Sequence, residues 1–309
     1  MIRIIVEKIG WRHCMRSVQS VLFEKFLILR RTKKKFMDLR LLDDFIAMKH
    51  NEKPYELDAK FKEQHQIQKD ELNDMHYYTI NEQQTPEKVI YYFHGGAYIN
   101  DPLIFHWRYL VKLAQESNFT IVVPIYPKLP KHTHKECFTA IHDLYDHLVL
   151  KYDAPFIFMG DSAGGGLALA LAQDVKRCSK KQPQHIVLHS AWLDVRGEDP
   201  RYKELEKLDP MLGVIGAQEL GRLWADGLEL TDYKISPVHG ELKDIGQITA
   251  FVGTGELLLV DANMLLDKAK ELGVAIQYYE YPKMNHVFPV FPIPEAKKAM
   301  KQLLKIIKN

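Results

Sequence analysis

Cysteine is scarce in this chain. Cys14, Cys137 and Cys178 are the three in 309 residues. They lie far apart, are odd in number and show no CxxC spacing, which argues against a disulfide framework or a zinc site. A reducing, cytoplasmic setting is the expectation. Charge bias is lacking too: 42 basic against 40 acidic residues leave a net charge of +2, which gives no general reason to expect nucleic acid. Long apolar runs are missing. Glu7, Lys8, Arg12, Arg16, Glu24 and Lys25 interrupt the N-terminal apolar segments, so none reaches the roughly 18–20 residues of a membrane span. No small-residue cleavage site follows an uninterrupted apolar region, so a signal peptide is not expected. There is no internal repeat. What remains is a globular composition in a chain long enough to bury a large core.

At the N-terminus, Val18, Val21, Leu22, Phe26 and Leu29 recur at helical spacing, the mark of an amphipathic helix. The basic run "RRTKKK" at 30–35 follows it. Such a helix can lie on a membrane surface. The favoured expectation is a helix packed on the body of the protein, with a solvated basic end. Residues 36–70 read as charged helices and loops.

From about residue 74 the texture changes. "MHYYTI" and "KVIYYF" are β-rich runs. Strands at 120–126, 155–160, 185–191, 247–254 and 275–281 then alternate with helices at 134–152, 162–178, 261–273 and 294–308. That alternation predicts an α/β fold with a mostly parallel sheet. Near-continuous apolar strands suit a sheet covered on both faces. Residues 200–235 break the rhythm with short helices, and with the N-terminal helices they could cap one end of the sheet.

In open parallel sheets, ligands bind beyond the carboxyl ends of the strands. There Gly160-Asp161-Ser162-Ala163-Gly164 matches G-x-S-x-G between a strand and a helix, the context of a nucleophile elbow. The competing explanation is a serine N-cap in a Gly-rich turn. A serine needs a base to attack at neutral pH. His286, in the loop after the last strand, fits the order serine, acid, histidine. His239 precedes the acid candidates, and His185 and His189 look packed. The acid should follow a strand and hold the imidazole. Glu256 does so; Asp261 is the alternative, although an N-cap role for the next helix would explain it. Upstream, "YYFHGGAYIN" places Gly95 and Gly96 after His94. Their N–H groups, with that of Ala163, are the expected oxyanion donors. His94 and Asp161 are expected to support the loop.

With these residues placed, the chain resembles the hormone-sensitive-lipase-like branch of the α/β-hydrolase superfamily, especially its small bacterial esterases. The resemblance runs from about residue 74 to the C-terminus. It rests on "YYFHGGAYI", "MGDSAGGGLALALA", "SAWLDV", "KISPVHG", "VGTGELLLVDA" and "PKMNHVFPVFPIPEA", in the family's order. Two departures stand out. The family's HGGG is HGGA here, with Ala97 in the third place, and its usual acid Asp is Glu256. The resemblance implies an α/β-hydrolase fold over 1–309, with 1–60 and about 200–230 as a helical cap. It implies hydrolysis of carboxylic esters with short to medium acyl chains: Ser162 attacks, His286 takes its proton, and Glu256 orients His286. No metal or organic cofactor is implied. An ester is the expected small-molecule partner, and the closing strand and helix are surfaces for a homodimer. A ligand-binding homologue, and an amidase, lactonase or deacetylase, are the competing functions. An interfacial lipase anchored by the basic helix is a third.

Overall fold

The computed structural model describes residues 5–8 and 16–309; Cys14 and the other remaining positions lie outside them. Nine strands form one sheet: β1 (Ile5–Lys8), β2 (Gln68–Leu72), β3 (Met75–Ile80), β4 (Val89–Phe93), β5 (Thr120–Pro124), β6 (Phe156–Asp161), β7 (His185–His189), β8 (Gln247–Gly253) and β9 (Ile276–Tyr281). Their order is β1-β9-β8-β7-β6-β4-β5-β3-β2. All neighbours run parallel except β5/β3 and β3/β2.

Residues alternate across this sheet, and both sides are apolar. Tyr91, Phe93, Phe156 and Phe158 enter one core cluster, while Ile90, Tyr92, Ile157 and Met159 enter the other. Such strands must be covered on both faces. The first cluster packs under α6 (His134–Lys151), α7 (Ala163–Arg177) and α10 (Leu259–Leu272). The second packs under α5 (Ile104–Ser117) and α11 (Pro294–Ile307). Trp107, Trp192, Trp224, Tyr98 and Phe288 are all buried in the packing. Tyr98 stacks on Trp224 at 4.3 Å and lies 5.4 Å from Trp192.

Six further helices come from the N-terminal segment and the later insertion. They are α1 (Val18–Arg30), α2 (Lys33–Met37), α3 (Leu39–His50) and α4 (Ala59–Gln64), with α8 (Arg201–Leu208) and α9 (Val214–Ala225) from the later insertion. α2 and α3 pack against α9. The two sequence segments expected to cap the sheet therefore do meet.

Three elements differ from expectation. The charged stretch "QKDEL" is strand β2, not helix or loop. It pairs antiparallel with β3 at the sheet edge, where no face has to be apolar. α5 falls where no helix is expected, although its buried residues Trp107, Leu110 and Leu113 follow helical spacing. The outer edge of β9, a surface offered for a homodimer, is taken within the chain by β1.

Candidate active site

β6 ends in a sharp corner. Ser162 has φ 52° and ψ −125°, a combination costly for any residue with a side chain. The flanking glycines follow from crowding. A Cβ on Gly160 would lie 2.3 Å from Gly164 O, and one on Gly164 would lie 2.1 Å from Phe93 O. The corner is locked by Ser162 N–H donating to His189 O at 3.0 Å and Trp192 N–H donating to Ser162 O at 2.9 Å. Ser162 precedes α7 but makes no side-chain cap bond. Its hydroxyl lies 2.9 Å from His286 Nε2.

His286 sits in the loop between β9 and α11 and is buried. Its Nδ1 lies 2.8 Å from Glu256 Oε2. A carboxylate only accepts, so Nδ1 carries the proton and Nε2 presents its lone pair to the serine hydroxyl. Glu256 is fully buried, just past β8. Its Oε1 accepts from Ser190 Oγ at 2.8 Å and from Gly253 N–H at 2.6 Å. Ser190 Oγ in turn accepts from Val287 N–H at 3.0 Å. Burial works against a charged His286, but the hydrogen bond and charge of Glu256 outweigh it and raise the pKa above the usual histidine value.

Asp261 does something else. α10 starts at Leu259, so Asp261 is inside its first turn and does not cap it. Its carboxyl crosses to the loop after β7, where Oδ1 accepts from the N–H groups of Leu193 and Asp194 at 2.7 and 2.8 Å. Oδ2 accepts from the Tyr202 hydroxyl at 2.7 Å. Burial raises its pKa to about 7, against the pull of those three donors. His239 contacts Asp194 and Arg196. The ring of His189 is packed in the core, with Nε2 at 2.9 Å from the Tyr109 hydroxyl.

The HGG loop corrects one expectation. The Gly95 N–H donates to Asp161 Oδ1 at 2.9 Å, so it does not face a ligand. A Cβ on Gly95 would lie 2.3 Å from Asp161 Oδ2 and 3.0 Å from Ser162 Cβ. Gly95 is glycine because the loop presses on the corner, not to make room for substrate. Gly96, Ala97 and Tyr98 follow with φ of 134°, 53° and 58°. The N–H groups of Gly96, Ala97 and Ala163 have no partner among the described residues. Successive N–H groups in such a turn form an anion-binding concavity.

Asp161 is the hub of this loop. Oδ1 accepts from the Tyr92 hydroxyl at 2.6 Å as well as from Gly95, and Oδ2 meets His106 Nε2 at 3.1 Å. His106 Nδ1 accepts from Leu103 N–H at 2.9 Å, which puts the ring proton on Nε2, facing the carboxylate. Burial opposes the charge on Asp161, yet the His106 ring, Tyr92 and Gly95 together lower its pKa to about 2. His94 Nδ1 donates to Gly95 O at 2.8 Å and its ring stacks on Tyr126 at 4.5 Å. Burial lowers its pKa to about 3, so it stays neutral. Nothing in the sequence marks His106, Ser190 or Asp209 as part of the site. Asp209 accepts from Leu257 N–H, beside Glu256, at 2.8 Å. His106 and Ser190 touch the carboxylates of Asp161 and Glu256, and Asp209 a backbone N–H, across sequence separations that only the fold closes.

A mostly parallel sheet with this strand–corner–helix and a serine, histidine and glutamate in series at its carboxyl edge defines a class. The chain belongs to the alpha/beta hydrolase fold family, whose pattern it matches over residues 90–290. An esterase from Acinetobacter venetianus is 29% identical over 226 residues, 72% of this chain and 75% of its own length. The crystal structure of a Staphylococcus aureus protein assigned as an esterase is 31% identical, with a TM-score of 0.83 over 88% of this chain and 94% of that one. An esterase of the bacterial hormone-sensitive lipase family superimposes with a TM-score of 0.76 over 95% of this chain and 99% of its own, at 22% identity, which shows the shared fold. Among the described residues no group of His, Cys, Asp or Glu could hold a metal ion, and no helix is long and apolar enough to cross a membrane.

Proposed function

We propose that this chain is a serine carboxylesterase acting on carboxylic esters of short to medium acyl length. One observation carries the reading: the unbroken series Ser162 Oγ, His286 Nε2 and Nδ1, Glu256 Oε2, with gaps of 2.9 and 2.8 Å. Ser162 attacks the ester carbonyl while Nε2 of His286 takes its proton. Glu256 holds the tautomer and stabilises the imidazolium. The proton then passes to the leaving alcohol, and a water activated by His286 hydrolyses the acyl-enzyme. The oxyanion is held by the N–H groups of Gly96 and Ala163, with Ala97 taking the place first assigned to Gly95. α2 and α3 with α8 and α9 form a cap over the acyl site, while α1 packs on α11. Esterase names among the relatives support the chemistry, and the left-handed backbone at Gly96 and Ala97 supports the donor set.

The test is turnover of p-nitrophenyl esters of increasing acyl length beside Ser162→Ala. Activity lost with Ser162→Ala supports the reading, and the chain-length optimum sizes the pocket. A folded protein inactive on every ester, and unlabelled by a serine-directed organophosphonate, would replace it with a ligand-binding role.

A further inference from the structure

The N-terminal helix does not pack as its apolar pattern suggests. α1 is docked through Ser20 and Leu27, which are buried, and through the half-buried Phe23. Phe23 lies 4.6 Å from Phe291 and 5.6 Å from Phe105. Ser17, its N-cap, donates from N–H and Oγ to Glu295 at 2.7 and 2.9 Å. The stripe Val18, Val21, Leu22, Phe26 and Leu29 lies on the other side. Those side chains are 72, 37, 58, 44 and 78% exposed. Ile28, 56% exposed, extends it. A helix that is apolar on both sides is normally buried on both, and a contiguous exposed apolar patch marks a contact surface.

The charges around the stripe say which surface. Lys25, seven residues after Val18 and four before Leu29, falls within the stripe, on the same helix face. Arg30, Arg31 and Lys34 follow at the end of the helix and are exposed. These four make no ion pair among the described residues. Nearby basic groups are occupied instead: Arg16 pairs with Glu24 at 2.6 Å, Lys33 donates to the carbonyls of Glu206 and Asp209, and Lys35 lies over the Phe45 ring at 3.9 Å. Glu24, the one acidic residue in α1, is neutralised by Arg16. An uncovered apolar stripe beside such cations, with no unneutralised anion on the helix, fits a surface that is apolar below and anionic at its rim. A lipid bilayer has that layering.

We propose that α1 is an interfacial helix that docks the protein on membranes rich in anionic lipid, with Val18, Leu22, Phe26 and Leu29 entering the acyl boundary and Lys25, Arg30, Arg31 and Lys34 meeting headgroups. The surface is independent of the ester chemistry. Phe23 rests on Phe291, on the segment that also carries His286.

The experiment is flotation of the full chain with vesicles of phosphatidylcholine alone, or of three parts phosphatidylcholine to one part phosphatidylglycerol. Binding to the anionic vesicles is expected to be at least roughly tenfold tighter than to the zwitterionic ones, and to weaken at about 0.5 M salt. Leu22→Asp with Leu29→Asp, and separately Arg30→Glu with Arg31→Glu, should each lower the anionic binding by about tenfold or more. Turnover of a soluble ester should stay within about twofold in both, which separates this surface from the catalytic reading. Circular dichroism checks that both variants keep their fold. Equal binding to both vesicles, no binding to either, or variants that bind like the parent would overturn the proposal. So would light scattering that shows a dimer broken by Leu22→Asp with Leu29→Asp while vesicle binding is unchanged, since the stripe would then be a contact between two copies.

Discussion

α7 and α1 are both rich in apolar residues and are treated in opposite ways. Every residue of α7 from Ala163 to Val175 is buried, and its N-terminus abuts the corner at Ser162. α1 buries Ser20 and Leu27 and turns its most regular apolar face to the outside. Helical spacing therefore says that a face is distinct. It does not say that the same chain covers it. In α7 the partner is fixed because β6 and β7 lie under one face and the 237–239 turn packs on the helix as well. In α1 one side has a partner. The other has exposed apolar side chains beside cations that form no ion pair among the described residues.

The largest effects should come from breaking the buried region. Ser162→Ala should lower kcat on p-nitrophenyl esters by about a millionfold, since losing the nucleophile removes the whole triad's contribution. Glu256→Gln keeps an acceptor near Nδ1 and removes the charge. A fall in kcat of about 10³–10⁴ is expected. The base works only when neutral, and Glu256 raises its pKa above the usual value. The acid limb of kcat/KM should therefore move to lower pH in Glu256→Gln. A limb that stays put would separate His286 from the observed titration.

Asp161→Asn tests whether the HGG loop is held from behind. The new side-chain amide would either turn its N–H₂ toward the Nε2–H of His106 or lose the acceptor for Gly95 and Tyr92. A loss in kcat of about 10- to 100-fold, with KM changed little, is expected for a displaced oxyanion donor. An equal rise in KM and no change in kcat would mean that the loop positions substrate and not the transition state.

The carboxyls of Glu256 and Asp261 are five residues apart and both fully buried; position after the strand favours Glu256 but leaves Asp261 as an alternative. What separates them is the partner: an imidazole for one, two backbone N–H groups and a phenol for the other. Most of the rest of the site was legible. Ser162, His286 and Glu256 come together as their order in the chain implied, because strand ends in a parallel sheet gather at one edge. Gly95 reads wrongly in sequence, because a glycine needed for a packed backbone looks the same there as one needed for a ligand. β2 is hidden because an edge strand need not be apolar.

Asp261→Asn sharpens the difference between the two carboxyls. The folded pKa of Asp261 is about 7, above an unfolded value near 4. The folded state thus holds a proton that the unfolded chain releases. The stability from this group is fully present below about pH 4 and is lost as pH rises through 7. Between pH 5 and 8 the parent should lose on the order of 2 kcal/mol relative to Asp261→Asn, read by urea unfolding of both proteins at each pH. Parallel stability curves would mean that the carboxyl is already ionised at pH 5, with the three donors outweighing burial.

The smallest effects lie in α1, and they test the comparison on a single turn. Leu27 is 8% exposed and Leu29 is 78% exposed. They are two residues apart, so they point to opposite sides of the helix. Leu27→Ala removes side-chain volume from the seam under α1 and should cost about 2 kcal/mol. Leu29→Ser removes an apolar group from water and should change stability by less than about 0.5 kcal/mol. Thermal unfolding of the two variants beside the parent reads both. Equal losses would mean that the outer stripe is covered in solution by a second copy, and unfolding that depends on protein concentration would identify it. Unequal losses leave Leu29 with no role in holding the fold, and a side chain that is costly to expose and useless for stability is best explained by what it meets outside the molecule.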